Sequence, residues 1–116
     1  MNLQSAIQDI NHLIQNGGLY DAIDKYYHPE VKTYEKDQLV ASSREENIAR
    51  EKDFLGGVSE WKEATIQSTA VGENVTMTEW HLDFIHEIYG HKKGNQVALQ
   101  EWQDGKVIRE QFYSLY

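Results

Sequence analysis

Three ionisable residues, Glu79, His81 and Asp83, alternate along the segment TEWHLDF and so project from one face of a strand. Side chains two apart on a strand are separated by roughly 7 Å, and the outer pair by roughly twice that. A zinc ion needs its ligands within about 2.3 Å, so these three cannot share one ion unaided and no metal site is expected. A contact between His81 and Asp83 is easier, because the carboxylate would orient the imidazole as a general base. The opposite choice of face also fits the pattern, with Glu79, His81 and Asp83 in water and Trp80, Leu82 and Phe84 in the core. A second candidate is Glu110, in the last stretch from Gln96 to Tyr116, which reads as a β-hairpin around Asp104-Gly105. If Gln103, Asp104 and Gly105 form the loop, Trp102 faces Lys106, Gln100 faces Ile108, Ala98 faces Glu110 and Gln96 faces Phe112. One hairpin face then carries Gln96, Ala98, Gln100, Trp102, Ile108, Glu110, Phe112 and Ser114. A face that was simply packed away would carry fewer amides and no carboxylate, so this one is expected to floor a partly polar cavity.

The elements that must hold these groups follow from periodicity. Leu3, Ala6, Ile7, Ile10, Leu13 and Ile14 recur at helical spacing until Asn16-Gly17-Gly18 stops them. Leu19, Ala22, Ile23, Tyr26 and Tyr27 repeat the period in a second helix, which ends at His28 because Pro29 disfavours helical geometry before it. Val31–Glu35 is β-prone, and Lys36–Ala41 reads as a loop. Ser42 and Ser43 offer N-caps, with Glu45 and Glu46 three residues on, for a third helix through Ile48, Phe54 and Leu55 to Gly56-Gly57. From Ser59 the period becomes two, giving strands Glu60–Val71, Val75–Tyr89, Gln96–Trp102 and Val107–Tyr116 joined at 72–74 and 90–95. Helices first and a strand meander last define an α+β protein whose antiparallel sheet curls over helices on one face.

Composition narrows the function classes. The 116 residues suffice for one domain, 1–116, with a single core. There is no cysteine, which excludes disulfides, thiolate metal sites and a cysteine nucleophile. The formal net charge is −8 and the basic residues are scattered, so neither nucleic acid nor an anionic membrane is an expected partner. The N-terminus lacks a basic region followed by an apolar run and no stretch approaches membrane-spanning length, so the expected location is the cytoplasm. No Gly-rich phosphate loop, nucleophile elbow or metal-finger pattern is present, and no cofactor is expected. His12 and His28 read as structural, and His91-Lys92-Lys93 as a solvated loop.

Two short helices, the segment LYDAIDKYYHPEVKTYE, the helix opening SSREENIAREKDFL and four long strands ending DGKVIREQFYSLY resemble the nuclear transport factor 2-like superfamily, and within it the SnoaL-like branch. The resemblance covers nearly the whole chain. It implies a cone: four long strands plus a short first strand, in a curved antiparallel (mixed) sheet wrapped around three N-terminal helices. It also implies an internal pocket for a small molecule and a homodimer formed through the outer sheet face. It does not imply one activity, because the superfamily includes isomerases, cyclases, dehydratases and domains that only bind or assemble. Glu35 falls where the superfamily's ketosteroid isomerases place their general base, which would take a proton α to a carbonyl if an apolar wall raised its proton affinity. Those isomerases also need a Tyr and a neutral Asp around the enolate oxygen, and Ala98 stands in place of the Asp. Scytalone dehydratase relatives use a His and an Asp, as His81 and Asp83 would be used here. The implied catalytic set is Glu35, His81, Asp83 and Glu110, and the implied ligand contacts are Tyr34, Trp61, Gln96, Gln100, Trp102 and Phe112. The alternative is a non-catalytic member that binds a metabolite or simply dimerises.

Overall fold

The structure, a computed structural model, describes residues 2–115. In order these form helices α1 (Leu3–Gln15) and α2 (Leu19–Tyr26), strands β1 (Tyr27–Glu35) and β2 (Gln38–Ala41), helix α3 (Arg44–Gly56), and strands β3 (Val58–Val71), β4 (Val75–His86), β5 (Gly90–Gln103) and β6 (Lys106–Ser114). The last strand's expected end at Tyr116 lies outside the described residues.

Helices α1 and α3 start where the sequence supplies a side-chain cap. Asn2 accepts the Ser5 amide at α1, and Ser43 accepts the Glu46 amide at α3 while Glu46 reaches back to the Ser42 N–H. Gly17, at φ +81, turns the chain from α1 into α2. Ile7, Ile10, Ala22 and Ile23 bury the apolar stripes of these two helices against Val31, Val107 and Trp102, and Trp102 meets Tyr26 edge-on at 5.9 Å.

The strands form one open sheet in the order β2-β1-β6-β5-β4-β3, antiparallel except where β1 runs parallel to β6. The α+β class stands as expected, with six strands among the described residues. Lys36–Ala41 is a hairpin rather than a loop: Lys36 takes φ 54 and Leu39 pairs with Tyr34. Strand β5 begins at Gly90, so 90–95 is strand and the connector is 87–89. The final hairpin is also one residue tighter than expected. Asp104 (φ 52) and Gly105 (φ 79) form a two-residue turn, Gln103 pairs with Lys106, and the register slips at Trp102. The extra residue, Ile108, is a bulge that turns Val107 inward in its place. Beyond the bulge Gln100 lies opposite Glu110 and Ala98 opposite Phe112.

Three further irregularities along β3, against Ser59, Lys62 and Gln67, interrupt its pairing with β4. Such bulges bend a strand and increase its twist, which curls this edge of the sheet. Thr76, Thr78, Trp80, Phe84 and His86 are all buried, so the even-numbered side of β4 faces the helices, and Asn11 of α1 donates to Thr78 at 3.0 Å.

Candidate functional site

The floor of the site is a chain of buried hydrogen bonds across β4, β5 and β6. The Trp102 indole N–H donates to Thr76 Oγ1 (2.9 Å), the Thr76 hydroxyl to Gln100 Oε1 (2.9 Å), and the Gln100 amide to Glu110 Oε2 (2.8 Å). The Tyr27 hydroxyl, entering from the end of α2, donates to the same Glu110 oxygen. Burial raises Glu110 from 4.5 to about 7; the donors Tyr27 and Gln100 and the Arg50 charge pull it down, while Glu51 pushes it further up. Glu110 thus exchanges its proton close to neutrality. Both donors reach Oε2, so the proton of the neutral acid belongs on Oε1. Burial, and then the Glu110 charge, holds the Tyr27 phenol well above its ordinary value, which keeps it a donor.

The roof is the inner face of α3, and it is polar. Asn47, Arg50, Glu51 and Phe54 recur at helical spacing. Arg50 donates to Glu51 at 2.7 Å and to Asn47 at 3.0 Å, approaches Glu35 at 3.4 Å, and lies over the Phe112 ring at 5.9 Å. Burial raises Glu35, against the lowering effect of Arg50, and burial raises Glu51 in the same way. An open cleft of about 660 Å³ lies at the mouth, lined by Glu35, Arg50, Phe54, His86, Tyr89 and Ser114 among others.

His86 fastens this rim. Its Nε2–H donates to the Phe54 carbonyl (3.0 Å), and its Nδ1 accepts the Ile88 amide (3.0 Å). A carbonyl can only accept and an amide N–H only donate, which fixes the neutral tautomer. The ring sits so close to Gly57 that a Cβ there would lie 2.4 Å from it.

The structure separates the groups expected from sequence. Glu35 lines the cleft, Glu110 is buried in the hydrogen-bonded floor and not among the cleft's lining, Phe112 supports Arg50, and Gln96 bonds Ser114 at the rim. Gln100 is bound into the floor, and Trp102 is core. His81 and Asp83 face away from the helices. His81 Nδ1 meets Asn95 Oδ1 at 2.7 Å and Asp83 meets His91 Nε2 at 2.6 Å, so the expected His81–Asp83 contact gives way to cross-strand partners. For His81 the cause is distance, because Asn95 is directly opposite it and opposed residues lie closer than residues two apart on one strand. Asp83 instead reaches His91 on the diagonal, past its own register partner Lys93. Glu79 accepts from Ser68 and Asn95 on the same outer face. Tyr34 also points outward, beneath the Arg109 guanidinium at 4.4 Å. Trp61 is half-exposed against Phe84. Asn47, Arg50 and Glu51 were not anticipated, although their spacing ahead of Phe54 is a readable signal. Among the described residues no group of three His, Cys, Asp or Glu could hold a metal ion, and no helix is long and apolar enough to cross a membrane.

No family model matches the chain, and no curated protein matches it. Solved structures do. The fold is the cystatin-like α+β fold. Within it, the chain is similar to a candidate SnoaL-like polyketide cyclase from Mesorhizobium loti, at 18% identity over 97% of this chain and 99% of that one, with a TM-score of 0.86. It is similar also to a candidate SnoaL-like polyketide cyclase from Jannaschia sp. (16% identity, 97% and 86% covered, TM-score 0.81). A third similar structure is an uncharacterised cystatin-fold protein from Novosphingobium aromaticivorans (12%, 97% and 98%, 0.80). At such identities the likeness carries the fold and not an activity.

Proposed function

We propose that this chain is a small-molecule pocket protein of the SnoaL-like class that performs cofactor-independent acid–base chemistry on a small carbonyl-containing or polycyclic ligand. The observation that carries the reading is Glu110: a fully enclosed carboxyl, aligned by Tyr27 and Gln100, that exchanges its proton near pH 7. A group poised there can give a proton to a developing enol oxygen or take one from carbon. Glu35 at the mouth is the second proton carrier, and Arg50, which pairs with Glu35 and whose charge also acts on Glu110, supplies positive charge to a developing oxyanion. The names of the neighbouring structures support the ligand class. His81 and Asp83, on the outer face, have no part in this site.

A substrate-independent assay is exchange of the α-protons of 2-tetralone in D2O, followed by proton NMR. The wild type is expected to exceed buffer, and Glu110→Gln and Glu35→Gln to lose most of the excess. Shifts in protein resonances without any exchange would refute catalysis and leave a binding protein. One observation favours that second reading: Glu110 is already fully engaged through Oε2 by protein donors, as a structural acid would be.

We also propose a homodimer through the outer sheet face, where Met77 on β4 and Tyr113 on β6 are exposed on either side of β5. The cytoplasm is the proposed location, on the sequence reading alone.

A further inference from the structure

Buried polar groups in folded proteins almost always find a partner. Two here do not: Thr33 Oγ1 and Arg50 Nε have no hydrogen-bond partner among the described residues. Thr33 is wholly buried. Its neighbours on the same face of β1 are Val31, which is core, and Glu35, which lines the cleft, so its hydroxyl is directed inward, and its register partner on β6 is Glu110. Arg50 looks onto the same layer from the opposite side. It lines the cleft, and its guanidinium covers Phe112, the register partner of Glu35. Asn47 and Glu51 take both Nη2 hydrogens and Glu35 one of the Nη1 hydrogens, which leaves Nε–H and one Nη1–H as its free donors.

We infer that Thr33 and Arg50 form a subsite for an oxygen atom of the ligand, in the layer between β1 and α3. Arginine only donates and a threonine hydroxyl donates or accepts, so the matching group is a carbonyl or hydroxyl oxygen. A cation finds no acceptor on Arg50, and a hydrocarbon leaves both groups unpaired. The register places the subsite beside Glu110, so an oxygen held there comes within the reach of the proton on that acid. This inference rests on the pocket reading above and deepens it: the ligand is oxygenated at the end that enters first.

Two probes with one carbon skeleton separate the possibilities, the ketone 2-tetralone and the hydrocarbon tetralin. In nitrogen–proton NMR of the wild type, 2-tetralone is expected to move the Arg50 Nε–H resonance and to bind about tenfold tighter than tetralin, the scale of a hydrogen bond to a charged donor. Thr33→Val has the same shape and removes a hydroxyl with no partner, so it is expected to keep or raise the melting temperature while the ketone preference shrinks severalfold. If the ketone binds but leaves Arg50 Nε–H unmoved, and Thr33→Val keeps the full preference, the pocket stands and the subsite is refuted. If neither probe binds the wild type, the pocket reading fails and the subsite falls with it.

Discussion

Glu110→Gln gives the sharpest physical test, because its expected effect changes with pH. Glutamine keeps an oxygen for Tyr27 and Gln100 to donate to and cannot ionise. In the wild type the folded chain holds the Glu110 proton up to about 7, whereas the unfolded chain releases it near 4.5. Between those values the folded state binds more protons than the unfolded state, so this group makes stability fall as pH rises through that window and then level off. Each pH unit is worth about 1.4 kcal/mol, so the whole window amounts to about 3 kcal/mol. The group is almost wholly enclosed, so solvent screening removes little of this. Urea unfolding of both chains at about pH 4 and about pH 8 reads the effect as a double difference. Contributions from Glu35 and Glu51, present in both chains, drop out to first order. The stability of Glu110→Gln minus that of the wild type should increase by about 3 kcal/mol from the acid to the alkaline condition. The same difference at both pH values would show that Glu110 ionises freely, and the proposed proton exchange near neutrality would be lost.

Other consequences are simpler. Gly57→Ala drives a methyl into the His86 ring, which two hydrogen bonds hold in place; a loss of about 1–3 kcal/mol is expected in urea unfolding, with chemical-shift changes confined to the cleft rim. Ser43→Ala removes the α3 cap and should lower stability by about 1 kcal/mol, measured by thermal melting at fixed pH. His81→Ala, on the outer face, should leave 2-tetralone affinity unchanged, as titration by NMR would show. Met77→Glu places a charge at the centre of the proposed dimer face, and size exclusion with light scattering should then report a monomer in place of a dimer.

Legibility in the sequence tracked the strength of the local physics. Ile7 and Ile10, Ala22 and Ile23, and Asp104-Gly105 each state their element unambiguously, and the helices and the final hairpin follow from them. The side of β4 that faces inward was not readable, because Thr76 and Thr78 are buried while Met77 is exposed. Over 76–78 hydrophobicity alone would invert that choice, although Trp80, Leu82 and Phe84 opposite Glu79, His81 and Asp83 favour the observed side. The reason lies elsewhere in the chain: Asn11 and Gln100 give those threonines partners. Strand β2 was hidden because the turn before it uses Lys36 at positive φ, where a glycine would have announced it. The hairpin face was nearly right, but the bulge at Ile108 is set by the packing of Val107 under the helices rather than by turn chemistry. The polar inner face of α3 is not legible because Ile48 and Leu55 suggest an ordinary apolar stripe, whereas the side chain that reaches the cleft is Arg50, held by Asn47 and Glu51.

A buried acid can persist for stability alone. With Glu110 replaced by leucine, the Tyr27 hydroxyl and the Gln100 amide would lose the acceptor they share, and orphaned buried donors are more costly than the pair they once made. The floor of the site is therefore self-supporting, and its completeness does not by itself argue for a ligand. The layer above it differs. Valine at position 33 would satisfy the sheet equally well and remove an unpaired hydroxyl, whereas an apolar residue at position 50 would leave the largely buried Glu51 without its cation. Folding favours the first replacement and resists the second, yet the chain keeps Thr33 next to an acid that exchanges its proton near neutrality. A hydroxyl that folding does not require, two residues along β1 from Glu35 at the cleft, is the arrangement expected where the remaining partner enters from outside.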